Sequence, residues 1–254
     1  MRVTASIVTY NNADEIISVL QSLSKIKIDN FKIIIVDNAS TDNTKELIEK
    51  NYSAIELIKS DTNLGFGAGH NVAIRKIESD YHIFINPDIT VEENQIEKML
   101  GYMEQHKEVV LLTPKVLNKD GTEQYLPKIF PKFKYIISGS FEHKSKLCHK
   151  WRSQYTFRNK LITQPVEIQY STGCFMVCRT EALKKVGGFD ERYFLHFEDA
   201  DLTREMMKHG KVIYNPNVYV THGWHRDNVK DKKIRKIALQ SWVKYFMKWR
   251  FSSK

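Results

Sequence analysis

Residues 3–9 (VTASIVT) alternate apolar and polar side chains and are rich in β-branched types, the period of a strand. Over 13–25 the period changes, and Ile16, Ile17, Leu20 and Leu23 fall on one helical face. The run 32–36 (KIIIV) is continuously apolar, as a strand covered on both faces should be. The same alternation continues. Helices are predicted at 43–50, 67–78 and 92–105, and strands at 55–58, 81–85 (YHIFI) and 109–112 (VVLL).

Strands alternating with helices predict parallel pairing through right-handed crossovers. Residues 1–112 therefore read as a Rossmann-like nucleotide-binding half, with 113–226 as the second half of the same domain. The second half has another character. Residues 118–165 are polar, basic and aromatic, with Pro127, Pro131 and Pro165 and no clear period. They read as a long, partly mobile excursion over the site. A strand is expected at 166–178, helices near 180–186 and 199–208, and strands near 211–214 and 217–221.

Composition sharpens the picture at one point. Of a formal net charge of +9, the segment 226–254 carries ten Lys or Arg against Asp227 and Asp231, leaving the rest of the chain near neutral. That disfavours a nucleic-acid partner, which calls for a more widely basic surface. Three cysteines are too few for a disulfide framework, and no run approaches the roughly 18 to 20 apolar residues that span a bilayer. A cytoplasmic location follows, with the inner face of the cell membrane as a further expectation. His143, Cys148 and His149 lack the paired spacing of a zinc site.

In open parallel sheets ligands lie beyond the carboxyl ends of the strands. Those ends read Thr9-Tyr10-Asn11-Asn12, Asp37-Asn38-Ala39-Ser40-Thr41-Asp42, Asn86-Pro87-Asp88 and Thr221-His222-Gly223-Trp224-His225-Arg226. Turn chemistry explains much of this, with Asp42 or Thr41 as a helix cap. Asp37 sits ahead of the cap, where a carboxylate can meet a base or ribose. Asp88 can hold Mg²⁺ or Mn²⁺ while phosphate oxygens fill the other positions. Glycines at 65, 67 and 69, opening a helix, let backbone approach a ligand. Glu198-Asp199, after a glycine-bearing aromatic loop, supplies a carboxylate for general-base work on a sugar hydroxyl. His222 can bind metal as a neutral imidazole, and Arg226 can pair with phosphate.

The motifs SIVTYNN (6–12), VDNASTDNT (36–44), NLGFGAGHN (63–71), NPD (86–88), GGFDERYFLHFEDADLTR (187–204) and HGWHR (222–226) occur in an order that resembles family 2 glycosyltransferases. The likeness is greatest to the rhamnosyltransferase-like branch and runs from Val3 to Arg226. It implies a GT-A fold, a mostly parallel α/β sheet flanked by helices. It also implies a nucleotide-diphosphate sugar donor, dTDP- or UDP-linked, and a glycan or lipid-linked acceptor. By the same resemblance Thr9, Asn11, Asp37, Asn63, Gly65, Asn86 and Arg226 would bind the nucleotide. Asp88 would be the metal ligand, with Asn86 standing at the first position of the family's Asp-x-Asp motif. His222 would approach the metal or diphosphate, and Asp199 would be the catalytic base of an inverting transfer. A catalytically silent nucleotide-sugar binder is the alternative.

Residues 227–254 form a basic amphipathic segment, with Ile234, Ile237, Ala238, Trp242, Tyr245, Phe246 and Trp249 at helical spacing. Packing of that stripe on the domain is the favoured expectation. Contact with an anionic membrane, or a homodimer interface, is the functional alternative.

Overall fold

The computed structural model describes residues 1–223 and 232–250. The first half follows the predicted alternation. It runs β1 (Val3–Thr9), α1 (Ala13–Leu23), β2 (Phe31–Asp37), α2 (Thr44–Asn51), β3 (Glu56–Lys59), α3 (Phe66–Ile74), β4 (Tyr81–Ile85), β5 (Ile89–Thr90), α4 (Gln95–Gln105) and β6 (Val109–Leu117). The second half holds α5 (Phe133–Phe141), α6 (Lys146–Tyr155), β7 (Val166–Glu167), β8 (Phe175–Arg179), α7 (Thr180–Val186), α8 (Glu198–Met206), β9 (Lys211–His222) and α9 (Lys232–Trp249).

One mixed sheet joins both halves in the order β3-β2-β1-β4-β8-β6-β9-β5, with β7 also on β9. β1 pairs with β2 and β4, and β2 with β3, all parallel as expected. β6 does not extend that run. β8 lies between β4 and β6, antiparallel to both, and parallel pairing resumes between β6 and β9. Apolar side chains fill both faces, Ile7, Val19, Leu20 and Met99 on one and Val36, Phe84, Met176 and Leu202 on the other.

Three expectations change here. The single strand foreseen over 166–178 is two, because residues 168–174 leave the sheet edge and cross toward β4. The two strands foreseen over 211–221 are one, interrupted where the register slips between Pro114 and Lys115 of β6. Pro114 and Pro216 lack ladder donors, so the strand bulges rather than stops. The excursion 118–165 contains α5 and α6, whose Tyr135 and Tyr155 rings stack at 5.3 Å. Their cohesion comes from aromatic contacts with each other, which helical periodicity does not register.

α9 packs as favoured. Ser241, Tyr245 and Trp249 are buried, Trp249 Nε1 donates to Asp201 Oδ1 at 2.7 Å, and Lys248 Nζ pairs with Asp201 Oδ2 at 2.7 Å. Among the described residues no helix is long and apolar enough to cross a membrane.

Candidate active site

A cleft of about 1460 Å³ opens at the carboxyl ends of β4 and β9, roofed by residues of α5, α6 and α9. Asn86, Asp88, Asp199 and His222 all line it. A smaller hollow of about 720 Å³ lies at the amino-terminal ends of β1 and β2 and holds none of the candidate residues.

Strand pairing brings Asp88 and His222 together. Ile89 pairs with His222, and Gly223 N donates to the Asp88 carbonyl at 2.8 Å. His222 Nε2 then lies 3.2 Å from Asp88 Oδ1. The protonation of that imidazole can be traced through its neighbours. The Asp120 carboxylate only accepts, so Thr122 Oγ1 donates to it at 2.6 Å. Thr122 Oγ1 therefore accepts from Asn118 Nδ2 at 2.8 Å, and Asn118 Oδ1 accepts from Gln124 Nε2 at 2.9 Å. Gln124 is left with Oε1 toward His222 Nδ1 at 2.9 Å, so Nδ1 carries the proton. In the neutral ring the Nε2 lone pair is on the side of Asp88.

With the ring neutral, two acceptors face one another, and Asp88 Oδ1 is buried with no hydrogen-bond partner among the described residues. That arrangement fits a divalent cation, since neighbouring ligands of an octahedral ion at about 2.1 Å stand about 3 Å apart. Asn86 Oδ1, also in the cleft, is buried and unpartnered as well. Among the described residues no group of three or more His, Cys, Asp or Glu gathers as a complete metal set. Among the described residues Asp88 and His222 would form the protein side of such a site, leaving positions for phosphate oxygens.

Asp199 enters from the start of α8. Its Oδ1 accepts from Tyr170 Oη at 3.0 Å and from Ala200 N at 2.8 Å, and its Oδ2 from Gly173 N at 3.0 Å. The bond to Gly173 ties it to the Asp88 region, because Asn86 N donates to the next carbonyl, Cys174 O, at 2.9 Å. His196 and Phe197, just before α8, both have left-handed φ angles of 69° and 67°. Non-glycine residues are held there only by surrounding contacts. Neighbouring Glu198 is buried, with Oε2 unpartnered. Burial, then the Asp199 charge, push its carboxyl well above the usual range.

The glycine segment packs closely against protein. A Cβ at Gly65 would meet Phe194 O at 2.2 Å, one at Gly67 would meet Phe189 Cβ at 2.8 Å, and one at Gly69 would meet Val8 Cγ1 at 2.9 Å. The glycines let α3 approach protein. Phe66 N donates to Phe194 O at 3.0 Å, and Asn71 clamps Phe189 through both its amide groups at 2.8 and 2.9 Å. The segment 63–71 fixes the loop that delivers Asp199.

Thr9 and Asp37 are fully buried and bonded together, Thr9 Oγ1 donating to Asp37 Oδ1 at 3.1 Å. Asp37 Oδ2 accepts from Ser40 N at 3.0 Å. Asn11 Oδ1 accepts from Thr41 N at 2.8 Å, and Asn63 Oδ1 from Gly65 N at 2.9 Å. These four and Gly65 lie outside the cleft lining, whereas Asn12 is part of it. The N-caps of α1 and α2 are Asn12 and Asn43 rather than Asp42 or Thr41, and Asp42 accepts from the first amide of each helix, Thr44 N at 3.1 Å and Ala13 N at 3.2 Å. Arg226 lies outside the described residues.

Residues that the sequence did not single out also line the cleft: Gln124, Lys128, Arg152 and Arg158. Lys128 Nζ donates to Thr172 Oγ1 at 3.1 Å and sits 4.4 Å from the Tyr170 ring centroid. Burial lowers its pKa to about 8, partly offset by the Asp199 charge. Only an isolated lysine in a motif-poor stretch could have signalled it.

A cleft at the carboxyl end of an α/β sheet, lined by a carboxylate–imidazole pair and a second carboxylate, suits nucleotide-linked group transfer. The family model for glycosyl transferase family 2 matches residues 4–187. The chain belongs to glycosyl transferase family 2. It is 26% identical over 231 residues to the N-acetylglucosaminyl-diphospho-decaprenol L-rhamnosyltransferase of Mycobacterium tuberculosis, covering 85% of this chain and 74% of that one. It is 26% identical over 235 residues to the rhamnosyltransferase WbbL of Escherichia coli K12, covering 87% and 83%. The mannosyltransferase PcManGT from Pyrobaculum calidifontis, solved with GDP-Man and Mn²⁺, superposes with a TM-score of 0.67 at 16% identity, covering all of this chain and 65% of that one. The GT-A fold expected of this family 2 glycosyltransferase is the fold observed.

Proposed function

We propose that this family 2 glycosyltransferase moves a sugar, rhamnose by its resemblance to rhamnosyltransferases, from a dTDP- or UDP-linked donor to a hydroxyl of a lipid-linked or glycan acceptor. The observation that carries the reading is the convergence of Asp88, His222 and Asp199 on one cleft large enough for a sugar nucleotide.

Asp88 and His222 would hold Mg²⁺ or Mn²⁺, which would offset the negative charge gathering on the departing diphosphate. Lys128, Arg152 and Arg158 line the same cleft and add positive charge for phosphate oxygens. Thr9, Asn11, Asp37, Asn63, Gly65, Asn86 and Arg226 would shape the nucleoside end. For the four of these that bond within the protein, that role is to set the loops against which the base rests.

Asp199 would take the proton of the acceptor hydroxyl as its oxygen bonds the anomeric carbon. The bond from that carbon to the diphosphate oxygen breaks in the same step, its electrons leaving with the nucleoside diphosphate. One displacement inverts the configuration and needs no covalent enzyme intermediate. Tyr170 and the Gly173 and Ala200 amides orient the carboxylate for that transfer.

Thermal stabilisation by dTDP, UDP and GDP, with and without Mn²⁺, tests the donor side. A metal-dependent rise with one of the pyrimidine diphosphates supports the reading, and no rise with any of them opposes it.

A further inference from the structure

Two helices that line the cleft also turn a second face to solvent. α9 buries Ser241, Tyr245 and Trp249. Leu239, Val243 and Met247 sit two residues earlier in each case, about 200° around the helix. α5 carries Phe133, Ile137 and Phe141, again spaced by four. All six side chains are between 38% and 62% exposed. The Phe133 ring of α5 lies 5.6 Å from that of Trp242 in α9, which joins the two stripes in one surface. It is not the stripe that the sequence offered to a membrane, because Tyr245 and Trp249 face the domain.

The charge around these stripes has one sign. Residues 232–250 contain seven Lys or Arg and no acidic residue, and residues 132–152 contain six against Glu142 alone. A second copy of the chain would bring the same surplus against it, so self-association here is opposed by like charge. Apolar side chains among lysines suit an anionic lipid surface. The same helices reach the cleft, through Gly139 of α5 and Ile234, Arg235 and Ala238 of α9.

We propose that the α5–α9 face docks on an anionic lipid bilayer and so holds the mouth of the cleft at the membrane surface, where a lipid-borne acceptor presents its sugar. The purpose assigned to the surface rests on the transferase reading above; the surface itself rests on exposure and charge.

The test is co-sedimentation of the full chain with vesicles of phosphatidylcholine alone and of phosphatidylcholine mixed with phosphatidylglycerol. Two variants accompany it, both at exposed positions outside the cleft. One combines Ile137→Ser, Phe141→Ser, Leu239→Ser, Val243→Ser and Met247→Ser. The other combines Lys132→Glu, Lys146→Glu and Lys236→Glu. The chain should pellet with the anionic vesicles and not the neutral ones, and less as salt rises. Each variant should partition roughly tenfold or more weakly while keeping its circular dichroism spectrum. A chain that stays in the supernatant with anionic vesicles overturns the proposal, and so does a serine variant that binds them as the parent does. A dimer in sedimentation velocity that the serine variant abolishes, without vesicle binding, would reassign the face to a second copy and equally overturn it. Stabilisation by nucleoside diphosphate, measured on the same samples, separates the two readings. Its absence from the parent would sink the transferase and leave the vesicle result standing.

Discussion

His222 Nε2 stands 3.2 Å from Asp88 Oδ1, and on the far side of the ring Gln124 Oε1 accepts from Nδ1. The chain Asp120–Thr122–Asn118–Gln124 sets that tautomer from a surface turn. Outer partners of this kind fix the tautomer and orientation of a metal-binding imidazole, the role proposed for His222.

If Asp88 and His222 hold the metal as proposed, replacing Gln124 by Leu should weaken the metal response without touching either residue. The expected loss is about 10- to 100-fold in apparent Mn²⁺ affinity, with turnover at saturating Mn²⁺ nearly restored. Titration of Mn²⁺ in a transfer assay checks it. An unchanged half-saturating concentration would mean that the imidazole needs no such orientation.

Asp201 anchors α9 through Trp249 and Lys248. Burial pushes the Asp201 carboxyl up despite Lys248, while Asp201 and Glu205 raise the lysine against its own desolvation. The two directions differ because Asp201 is much the more buried partner, so its desolvation dominates the pair. The intact pair then contributes little net stability, but stranding its partners is costly. Asp201→Ala should cost about 2–4 kcal/mol in urea unfolding and expose α9 to protease. A loss below about 0.5 kcal/mol would show the anchor to be dispensable.

Acid should destabilise the protein through two histidines beneath the sheet. Thr4, Ser6, His70 and His82 form one buried network, with contacts of 2.7 to 2.9 Å. Burial lowers His82 to about 3 and His70 well below its ordinary 6.5. Both are neutral when folded, whereas the unfolded chain protonates them below about 6.5. Their contribution is complete above that value and falls as pH drops toward 3. In that window each histidine removes about 1.4 kcal/mol per pH unit. His82→Gln should flatten the slope of stability against pH by about that amount between roughly pH 6 and 4. An unaltered slope in urea titrations would contradict the assignment.

What the sequence disclosed was local. A carboxylate at the tip of β4, a histidine at the end of β9 and an acidic pair opening α8 are each readable from their own neighbourhoods, because strand ends and helix starts have short-range signatures. The insertion of β8 between β4 and β6 is a long-range pairing that no window contains. Gln124, Asn118 and Asp120 look like ordinary turn residues, and their role appears only when β9 ends beside them. The glycines at 65, 67 and 69 were legible as sites of close approach, but not what approaches: Phe194, Phe189 and Val8. Of Glu198, Asp199 and Asp201 the sequence offered one acidic cluster. The fold gives them three tasks, an unpartnered buried acid, a cleft carboxylate and a helix anchor.

In the proposed transfer Asp199 moves the acceptor proton while other residues hold the donor. The direct measurement is Asp199→Asn, assayed for transfer and, by calorimetry, for binding of the nucleotide sugar with Mn²⁺. Transfer should fall by about 10³-fold or more, with donor affinity within about threefold of the parent. Turnover within about tenfold of the parent at unchanged affinity would contradict it.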